Sequence, residues 1–345
     1  MAGDVALVPK VWQRHRDMGQ ARRPDAKLTL AAYRHRQVRG FADVNLPAAE
    51  SLAGQFQATP HQDYRHILDD PTLQAVAICS ATDTHARLIV EAAQAGKHIF
   101  CEKPIDYDLQ KIDAALAAAE GAGVKLMIGF NRRFDPNFRK VRELVSAGKV
   151  GDVHLLRITS RDPAPPPVEY VRVSGGMFLD MTIHDFDMAC YLTGSEVVEV
   201  FAAGGVLIDP AIGAAGDIDT ALVTLKFANG AMGAIDNSRK AVLGYDQRVE
   251  VFGSAGMVSV SNNTPDRHIL SDAQGVHAAL PLYFFMQRYT ESFIAEMTEF
   301  VQCLQKDTAP PVTGRDGRRP VVIGLAAQKS LRENRPVRVT QERIE

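Results

Sequence analysis

Hydrophobic residues in the first 130 positions follow two alternating patterns. Short apolar runs of four or five residues predict buried strands, and apolar residues spaced three and four apart predict amphipathic helices. A strand and a helix that alternate in this way predict an α/β fold with a Rossmann-type, doubly wound parallel sheet. The predicted strands are at 5–8, 39–43, 75–79, 98–101 and 125–129, and the predicted helices are at 47–56, 63–69, 84–95 and 109–120.

The rest of the chain has a different pattern. After a predicted helix at 137–147 and a strand at 153–160, apolar and polar residues alternate with a period of two beyond Gly194. This period predicts strands, and Asn229-Gly230 is a typical hairpin turn between two of them. We therefore expect a second α/β domain with an open, mostly antiparallel sheet. Its strands are predicted at 197–204, 219–227, 231–238, 247–253 and 256–261, and helices follow at 284–304 and 317–332.

The change of pattern predicts two domains. A chain of 345 residues is long enough for two separate hydrophobic cores. We place a nucleotide-binding domain at 1–129 and a substrate and oligomerisation domain at 130–345, with the 317–332 helix as a candidate to pack back on the first domain. The open face of the second sheet needs a cover, and a homo-oligomer is a common way to supply it.

A predicted helix at 174–194 carries the first candidates for chemistry. Asp180 and His184 are four residues apart in it and would therefore share one face of the helix. A carboxylate one turn from an imidazole can orient the ring and stabilise its protonated form, which suits a general base that removes a hydroxyl proton. An ordinary exposed helix pair is the alternative interpretation.

Polar residues at the carboxyl ends of the predicted strands are candidates for binding a dinucleotide, because ligands of doubly wound sheets bind outside the carboxyl ends. Asp43 ends the second strand, where a carboxylate accepts hydrogen bonds from an adenosine ribose and repels the additional phosphate of NADP. NAD is therefore the predicted cofactor. A turn or N-cap aspartate before the helix near Pro47 is an equally simple interpretation.

Further candidates follow the next two strands. Ser80, Thr82 and His85 lie in a loop of small hydroxyl residues that suits the close approach of a cofactor. Lys103 lies between a strand end and a proline, where it could contact a substrate hydroxyl and the nicotinamide ribose. A solvated surface lysine is the alternative.

Arg132 and Arg133 lie just beyond the last strand of the first domain. Two adjacent arginines can bind a polyhydroxylated or an anionic substrate. They can equally form an interdomain salt-bridge cluster, and both interpretations stay open.

Composition and charge favour small-molecule chemistry. The formal net charge is -2 and the pI about 6.6, which does not favour nucleic acid or an anionic membrane as a partner. Four widely spaced cysteines without a Cys-x-x-Cys pair indicate neither a zinc site nor a disulfide framework. The sequence shows no apolar run near the ~20 residues that span a bilayer and no secretory leader pattern. We therefore expect a cytoplasmic protein without a membrane partner.

The first predicted strand is not followed by the glycine-rich turn of a dinucleotide-binding fold. Residues 9–18 contain no glycine, and arginines and a tryptophan stand where a backbone would approach a pyrophosphate. One hypothesis is a reading-frame error in this part of the gene. Another is a catalytically inactive binding or oligomerisation subunit that no longer binds the cofactor.

Three motifs together resemble the Gfo/Idh/MocA oxidoreductase family: Glu102-Lys103-Pro104, the segment 129–135 and the segment 175–192. Within the family, the segments 160–167 and 284–289 look most like those of bacterial inositol 2-dehydrogenases. The resemblance spans about residues 40–340. It implies NAD-dependent oxidation of a cyclitol secondary alcohol, such as myo-inositol to 2-keto-myo-inositol, by a homotetramer.

The resemblance also implies roles for individual residues. Lys103, Asp180 and His184 match the catalytic lysine, aspartate and histidine of the family. Tyr245 and the Arg132-Arg133 pair match positions on the substrate side. With the strand-end residues above, Glu102 and Lys103 complete the candidate cofactor-binding set, and no metal is implied. Other sugar or cyclitol dehydrogenases of the family share the catalytic residues, so they remain alternatives.

Overall fold

The computed structural model describes the backbone of Val5–Pro9 and all of residues 38–340. The segment in which the glycine-rich turn is missing, and the hypotheses that concern it, lie outside these described residues. Two compact units are distinguished: residues up to Asn131 with Glu291–Val321 form the first, and Arg132–Thr290 with residues from Val322 onward form the second.

The first unit contains a six-stranded sheet in which every neighbouring pair of strands is parallel. Its order is β3-β2-β1-β4-β5-β6, which is the order of a dinucleotide-binding Rossmann fold. The prediction of a doubly wound parallel sheet is therefore confirmed. The strands are β1 Val5–Pro9, β2 Val38–Ala42, β3 Thr59–His61, β4 Ala75–Cys79, β5 His98–Glu102 and β6 Leu126–Gly129.

Apolar runs form the central strands because both faces of a covered parallel sheet are buried. In β6 all four residues are buried, and in β4 only Cys79 at the carboxyl end is partly exposed. β3 contains Pro60 and pairs at the edge of the sheet, where a missing N–H group is tolerated. The helices that follow these strands are α1 Leu46–Phe56, α2 Arg65–Leu68, α3 Thr82–Gln94 and α4 Leu109–Gly121.

The second unit contains a mixed sheet of order β12-β11-β7-β10-β9-β8-β15. Only the β10–β7 pair is parallel, so the predicted open, mostly antiparallel sheet is confirmed. Gly230 has a φ of +87° in the β9–β10 turn, which joins an antiparallel hairpin as predicted. The strands are β7 Val153–Arg161, β8 Val197–Gly205, β9 Thr220–Phe227, β10 Met232–Ser238, β11 Asp246–Gly253, β12 Gly256–Val260, the separate hairpin β13 Ile269–Asp272 and β14 Gly275–Ala278, and β15 Val337–Arg338.

The remaining helices differ from the predictions in one place that bears on function. They are α5 Pro136–Ser146, α6 Val168–Val171, α7 Gly176–Asp180, α8 Ile183–Thr193, α9 Pro210–Ala214, α10 Phe285–Arg288, α11 Thr290–Lys306 and α12 Gly314–Glu333. The single helix predicted at 174–194 is wrong, because α7 ends at Asp180 and α8 begins at Ile183.

Hydrogen bonds explain this break. The carbonyl oxygen of Met177 accepts the N–H groups of both Met181 and Thr182, each at 2.9 Å, so the turn is one residue wider than in an α-helix. The buried Thr182 hydroxyl then donates to Asn237 Oδ1 at 2.7 Å. The four-residue spacing of Asp180 and His184 therefore no longer places them on one helix face by itself.

Among the described residues, no helix is both long and apolar enough to cross a bilayer. In the same part of the chain no three histidine, cysteine or acidic side chains are grouped to hold a metal ion.

Candidate active site

Asp43 directly follows β2 and is half-buried. Its Oδ1 atom accepts the backbone N–H of Asn45 at 2.8 Å, and its own N–H donates to the carbonyl of His61 at 3.1 Å. The carboxylate therefore closes a local turn before α1, whose N-cap is Asn45. This turn fixes the position of the carboxylate at the carboxyl end of β2.

Ser80 and Thr82 follow β4, and Thr82 is the first residue of α3. The Ser80 hydroxyl lies 2.6 Å from the hydroxyl of Thr84. His85 is 1% exposed, and its two ring nitrogens lie 2.8 Å from the carbonyl oxygen of Pro104 and 3.0 Å from that of Ser80. The His85 ring thus joins the loops that follow β4 and β5.

Glu102 and Lys103 lie at the end of β5, and both side chains are half-buried. The Lys103-Pro104 peptide bond is cis. Gly129 pairs with Glu102 across the sheet, and a Cβ atom there would lie 3.1 Å from Glu102 Oε2. Glycine at 129 therefore leaves room for the Glu102 carboxylate. Burial, and after it the charge of Glu102, raises the pKa of the Cys79 thiol well above its usual range.

In the second unit, Asp180 is the last residue of α7. Its Oδ1 atom accepts a short hydrogen bond from the hydroxyl of Tyr170, and Arg239 Nη1 donates to its Oδ2 atom at 3.2 Å. The structure therefore holds this predicted catalytic carboxylate through both of its oxygen atoms.

His184 is the second residue of α8 and is half-buried. The next residue, Asp185, is fully buried, and burial raises the pKa of its carboxyl. Its oxygens accept Arg132 Nη1 at 2.5 Å and Asn237 Nδ2 at 2.8 Å. Because Asn237 also holds the hydroxyl of Thr182, one buried network fixes the start of α8.

Arg133 forms the second buried ion pair of this region. Its Nε and Nη2 atoms donate to the Asp187 carboxylate at distances between 2.6 and 3.1 Å, and its guanidinium lies 5.1 Å from the centre of the Tyr191 ring. Both arginines thus form buried ion pairs, and both pairs lie within the second unit, because Asp185 and Asp187 belong to α8. The role of the two arginines toward a substrate stays a prediction.

Tyr245 lies in the same network. Arg132 Nη2 donates to the Tyr245 hydroxyl at 3.4 Å, and burial raises the pKa of this phenol well above its usual range. The Tyr245 ring packs edge-on against Tyr289 at 5.9 Å. The structure thus joins Arg132 to Tyr245 and to Asp185, which is the residue that follows His184.

Sequence reasoning missed most residues that support the predicted site. Asp185 and Asp187 alternate with His184 and Phe186, and this acidic pattern could have suggested partners for the two arginines. Asn237 and Arg239 carry no such signal, because their contacts with α7 and α8 join parts of the chain that are 52 and 59 residues apart. Tyr170 lies only ten residues before Asp180, but it belongs to a separate short helix, so no helical spacing links the two.

Comparison with known proteins gives one consistent result. Family models match residues 13–130, described as "Oxidoreductase family, NAD-binding Rossmann fold", and residues 138–259, described as "GFO/IDH/MocA C-terminal domain". The chain is 50% identical over 281 residues to the myo-inositol 2-dehydrogenase of Thermotoga maritima, covering 81% of this chain and 84% of the relative.

Solved structures agree with this result. A myo-inositol dehydrogenase from Corynebacterium glutamicum superposes with a TM-score of 0.89 at 31% identity and covers 99% of both chains. A scyllo-inositol dehydrogenase from Lactobacillus casei, crystallised with bound NAD(H) and scyllo-inositol, has a TM-score of 0.86 at 27% identity and covers 98% of this chain and 99% of that one.

Proposed function

Because the chain belongs to the Gfo/Idh/MocA oxidoreductase family, we propose that it is an NAD-dependent dehydrogenase that oxidises a secondary alcohol of a cyclitol. Myo-inositol, oxidised to 2-keto-myo-inositol, is the proposed substrate. The observation that carries the proposal is Asp180, whose carboxylate is anchored by Tyr170 and Arg239 where α7 meets the helix of His184.

The first unit carries the residues that we assign to NAD binding. Its strand order is that of dinucleotide-binding sheets, and the Asp43 carboxylate lies directly after β2 with its position fixed by Asn45. A carboxylate there accepts ribose hydroxyls and disfavours the phosphate of NADP. When bound, NAD supplies the hydride acceptor. Ser80, Thr82, Glu102 and Lys103 complete the proposed binding set, and His85 holds its loops in place.

The proton chemistry is assigned to three side chains. We propose that His184 accepts the proton of the substrate hydroxyl and that Asp180 stabilises the imidazolium ion that forms. Lys103 carries a positive charge that orients the hydroxyl and stabilises negative charge as the proton leaves. In this proposal His184 moves the proton, and Asp180 and Lys103 stabilise the positive and negative charges that form.

Substrate recognition is assigned to Arg132, Arg133 and Tyr245. Both guanidinium groups are engaged with buried carboxylates, so they contribute chiefly by fixing the Tyr245 hydroxyl and α8. Such an arrangement favours a neutral polyol, because a paired guanidinium has less attraction left for an anion. The alternatives from the same family are other sugar or cyclitol dehydrogenases.

Replacing the proposed base tests this function. His184→Ala should lower turnover of myo-inositol by roughly 10²- to 10⁴-fold, the usual contribution of a general base. NAD affinity, measured by titration, should stay within a factor of two to three of the parent, since the residue acts on the substrate. A variant that oxidises inositol as fast as its parent would refute the mechanism.

A titration of the purified protein with NADH, followed by fluorescence, separates the enzyme from the alternative of an inactive subunit. The enzyme should show saturable binding, and an inactive binding or oligomerisation subunit should show none. If the natural chain does not bind, the His184 test is made in a protein with a glycine-rich turn restored between residues 8 and 24.

The exposed face of the second sheet supports the proposal of a homo-oligomer, and by family resemblance a tetramer. Met257, Phe252, Leu155 and Met232 are neighbours in register across β12, β11, β7 and β10, and each is between 41% and 55% exposed. A contiguous apolar row on a sheet face is typical of an interface. Phe252→Glu should lower the assembly state in analytical ultracentrifugation, and an unchanged sedimentation coefficient would contradict this role.

We place the protein in the cytoplasm, consistent with four cysteines that form no disulfide.

A further inference from the structure

Arg239 is one of the largest fully buried side chains among the described residues, with 2% of its surface exposed. It directly follows β10, and its backbone N–H donates to the carbonyl of Asp219 at 2.8 Å. A buried guanidinium is costly unless carboxylates compensate its charge. The position of Arg239 therefore depends on the acids around it.

Two carboxylates contact this guanidinium. Nη1 donates to Asp180 Oδ2 at 3.2 Å, and Nη2 lies 3.7 Å from Asp217 Oδ2. The Asp217 carboxylate is itself held by the Met177 N–H, which donates to Oδ1 at 3.0 Å at the start of α7. Arg239 thus connects the last residue of α7 to a carboxylate bound at the first turn of the same helix.

Tyr170 provides the second anchor for Asp180. It lies in α6 and donates its hydroxyl to Asp180 Oδ1, the oxygen atom that Arg239 does not contact. With one donor on each oxygen, rotation of the carboxylate is restricted. Both donors also stabilise the ionised form over the protonated form.

We propose that Arg239 and Tyr170 are positioning residues for Asp180, which keep its carboxylate ionised and oriented so that it supports the imidazolium form of His184. The inference rests on the proposed function, because it assigns the two residues a role through Asp180. Neither residue is proposed to touch the substrate or the cofactor.

The charges that face this pair determine the direction of the expected effects. Besides Arg239 and Tyr170, they are Asp217 before β9 and Asp162 after β7, and Asp162 in turn interacts with Arg132 and Asp185. Removing the guanidinium leaves a surplus of negative charge, which favours protonation of Asp180. A protonated or released Asp180 carboxyl supports the imidazolium form of His184 less than the anchored carboxylate does.

The main test is therefore a titration of the His184 ring by NMR, assigned with the His184→Ala variant, which does not require turnover. Asp180→Asn should lower the His184 pKa by about one unit, on the scale usual for a neighbouring charge. Tyr170→Phe removes no charge and should shift the His184 pKa in the same direction by a smaller amount, because it releases one oxygen atom of the Asp180 carboxylate. An unchanged His184 titration in Tyr170→Phe would overturn the inference.

Arg239 is tested by turnover, because loss of its own charge and loss of its support for Asp180 act in opposite directions on the imidazole. Arg239→Met should lower kcat at least about tenfold, as for the loss of a hydrogen bond to a charged group, and Arg239→Lys should retain most of the parent kcat.

Tyr170→Phe is the milder variant, and it removes one hydroxyl without removing a charge. We expect kcat for inositol to fall about tenfold, the effect of losing a hydrogen bond to a charged group, with KM within about a factor of two. The matched control is Tyr64→Phe, because the Tyr64 hydroxyl also donates to a carboxylate, Glu91 Oε2 at 2.6 Å, within the first unit. It should leave kcat unchanged.

A double-mutant cycle separates this inference from the proposed function. In the Asp180→Asn background, Tyr170→Phe should cause little further loss of kcat, because its target is already neutral. If Asp180→Asn lowers turnover but Tyr170→Phe and Arg239→Met act like the Tyr64 control, the inference fails and the proposed function stands. If Asp180→Asn remains fully active, the proposed function fails, and the His184 titration still decides the inference.

Discussion

Asp162 offers a test of the electrostatics in the second unit that is independent of catalysis. This residue directly follows β7, and its backbone is fixed by hydrogen bonds to Ser238 at 2.9 Å and from Ala241 at 2.6 Å. Burial raises the pKa of its carboxyl from 3.8 to about 6, with Asp180 and Asp185 adding to the rise and Arg239 and Arg132 opposing it. The perturbation that we propose is Asp162→Asn, which has the size of the carboxyl but no charge.

The magnitude follows from this shift in pKa. A difference of about two units at 1.36 kcal/mol per unit corresponds to about 3 kcal/mol. Because the pKa is raised in the folded state, the folded protein binds this proton more tightly than the unfolded chain does. The stability that the proton contributes is fully present below pH 3.8 and is lost as the pH rises through about 6. Asp162→Asn should therefore be more stable than its parent by about 3 kcal/mol at pH 8 and by less than about 1 kcal/mol at pH 4.

The assay is urea unfolding followed by far-UV circular dichroism at pH 4, 5, 6, 7 and 8. The gain in the free energy of unfolding should grow mostly between pH 4 and pH 6. Asp69→Asn is the control, because it makes the same chemical change at an exposed side chain. A gain in the free energy of unfolding that does not vary with pH, or a loss at pH 8, would show that the ionised Asp162 carboxylate does not destabilise the folded protein.

Two further predictions concern the cofactor and the sheet. Asp43→Ser should narrow the ratio of kcat/KM for NAD over NADP, because it removes the charge that repels the additional phosphate, and equal efficiency of the parent with both cofactors would contradict this. Gly253→Ala should destabilise the second unit by about 1–3 kcal/mol in thermal unfolding, because the new Cβ atom would lie 2.5 Å from the backbone carbonyl oxygens of Val150 and Asp152. Gly54→Ala is its control, since a Cβ atom there meets nothing within 4 Å inside α1, and it should be neutral or stabilising.

The elements that could be predicted are those whose pattern is decided locally. The strand predicted at 75–79 has the same bounds in the structure, because a parallel strand covered on both faces needs a continuous apolar run. The Asn229-Gly230 turn was equally clear, since glycine adopts the positive φ that the hairpin requires. The hairpin at 269–278 was not predicted. Its residues are all exposed, so burial imposes no alternation on them.

The break between α7 and α8 shows where sequence patterns stop being informative. Apolar spacing continues through Met181, and nothing near it predicts that Thr182 will turn out of the helix. The hydroxyl of Thr182 is held by Asn237, 55 residues later, and this long-range contact overrides the local helical pattern. Asp180 and His184 could thus be identified as a pair from their residue types, but their geometry could not be derived from the spacing.

The same long-range contacts bear on the nature of the substrate. Arg132 and Arg133 could be read from the sequence as ligands for an anion, yet the structure pairs them with Asp185 and Asp187 on either side of Phe186. The two partners of such a buried ion pair compensate each other's charge, whereas removing one partner leaves the other buried and unpaired. These two ion pairs are complete without a ligand, so neither arginine requires an anionic substrate. The pairing therefore supports the proposal of a neutral cyclitol, which brings hydroxyl groups and no charge to His184, the proposed proton acceptor.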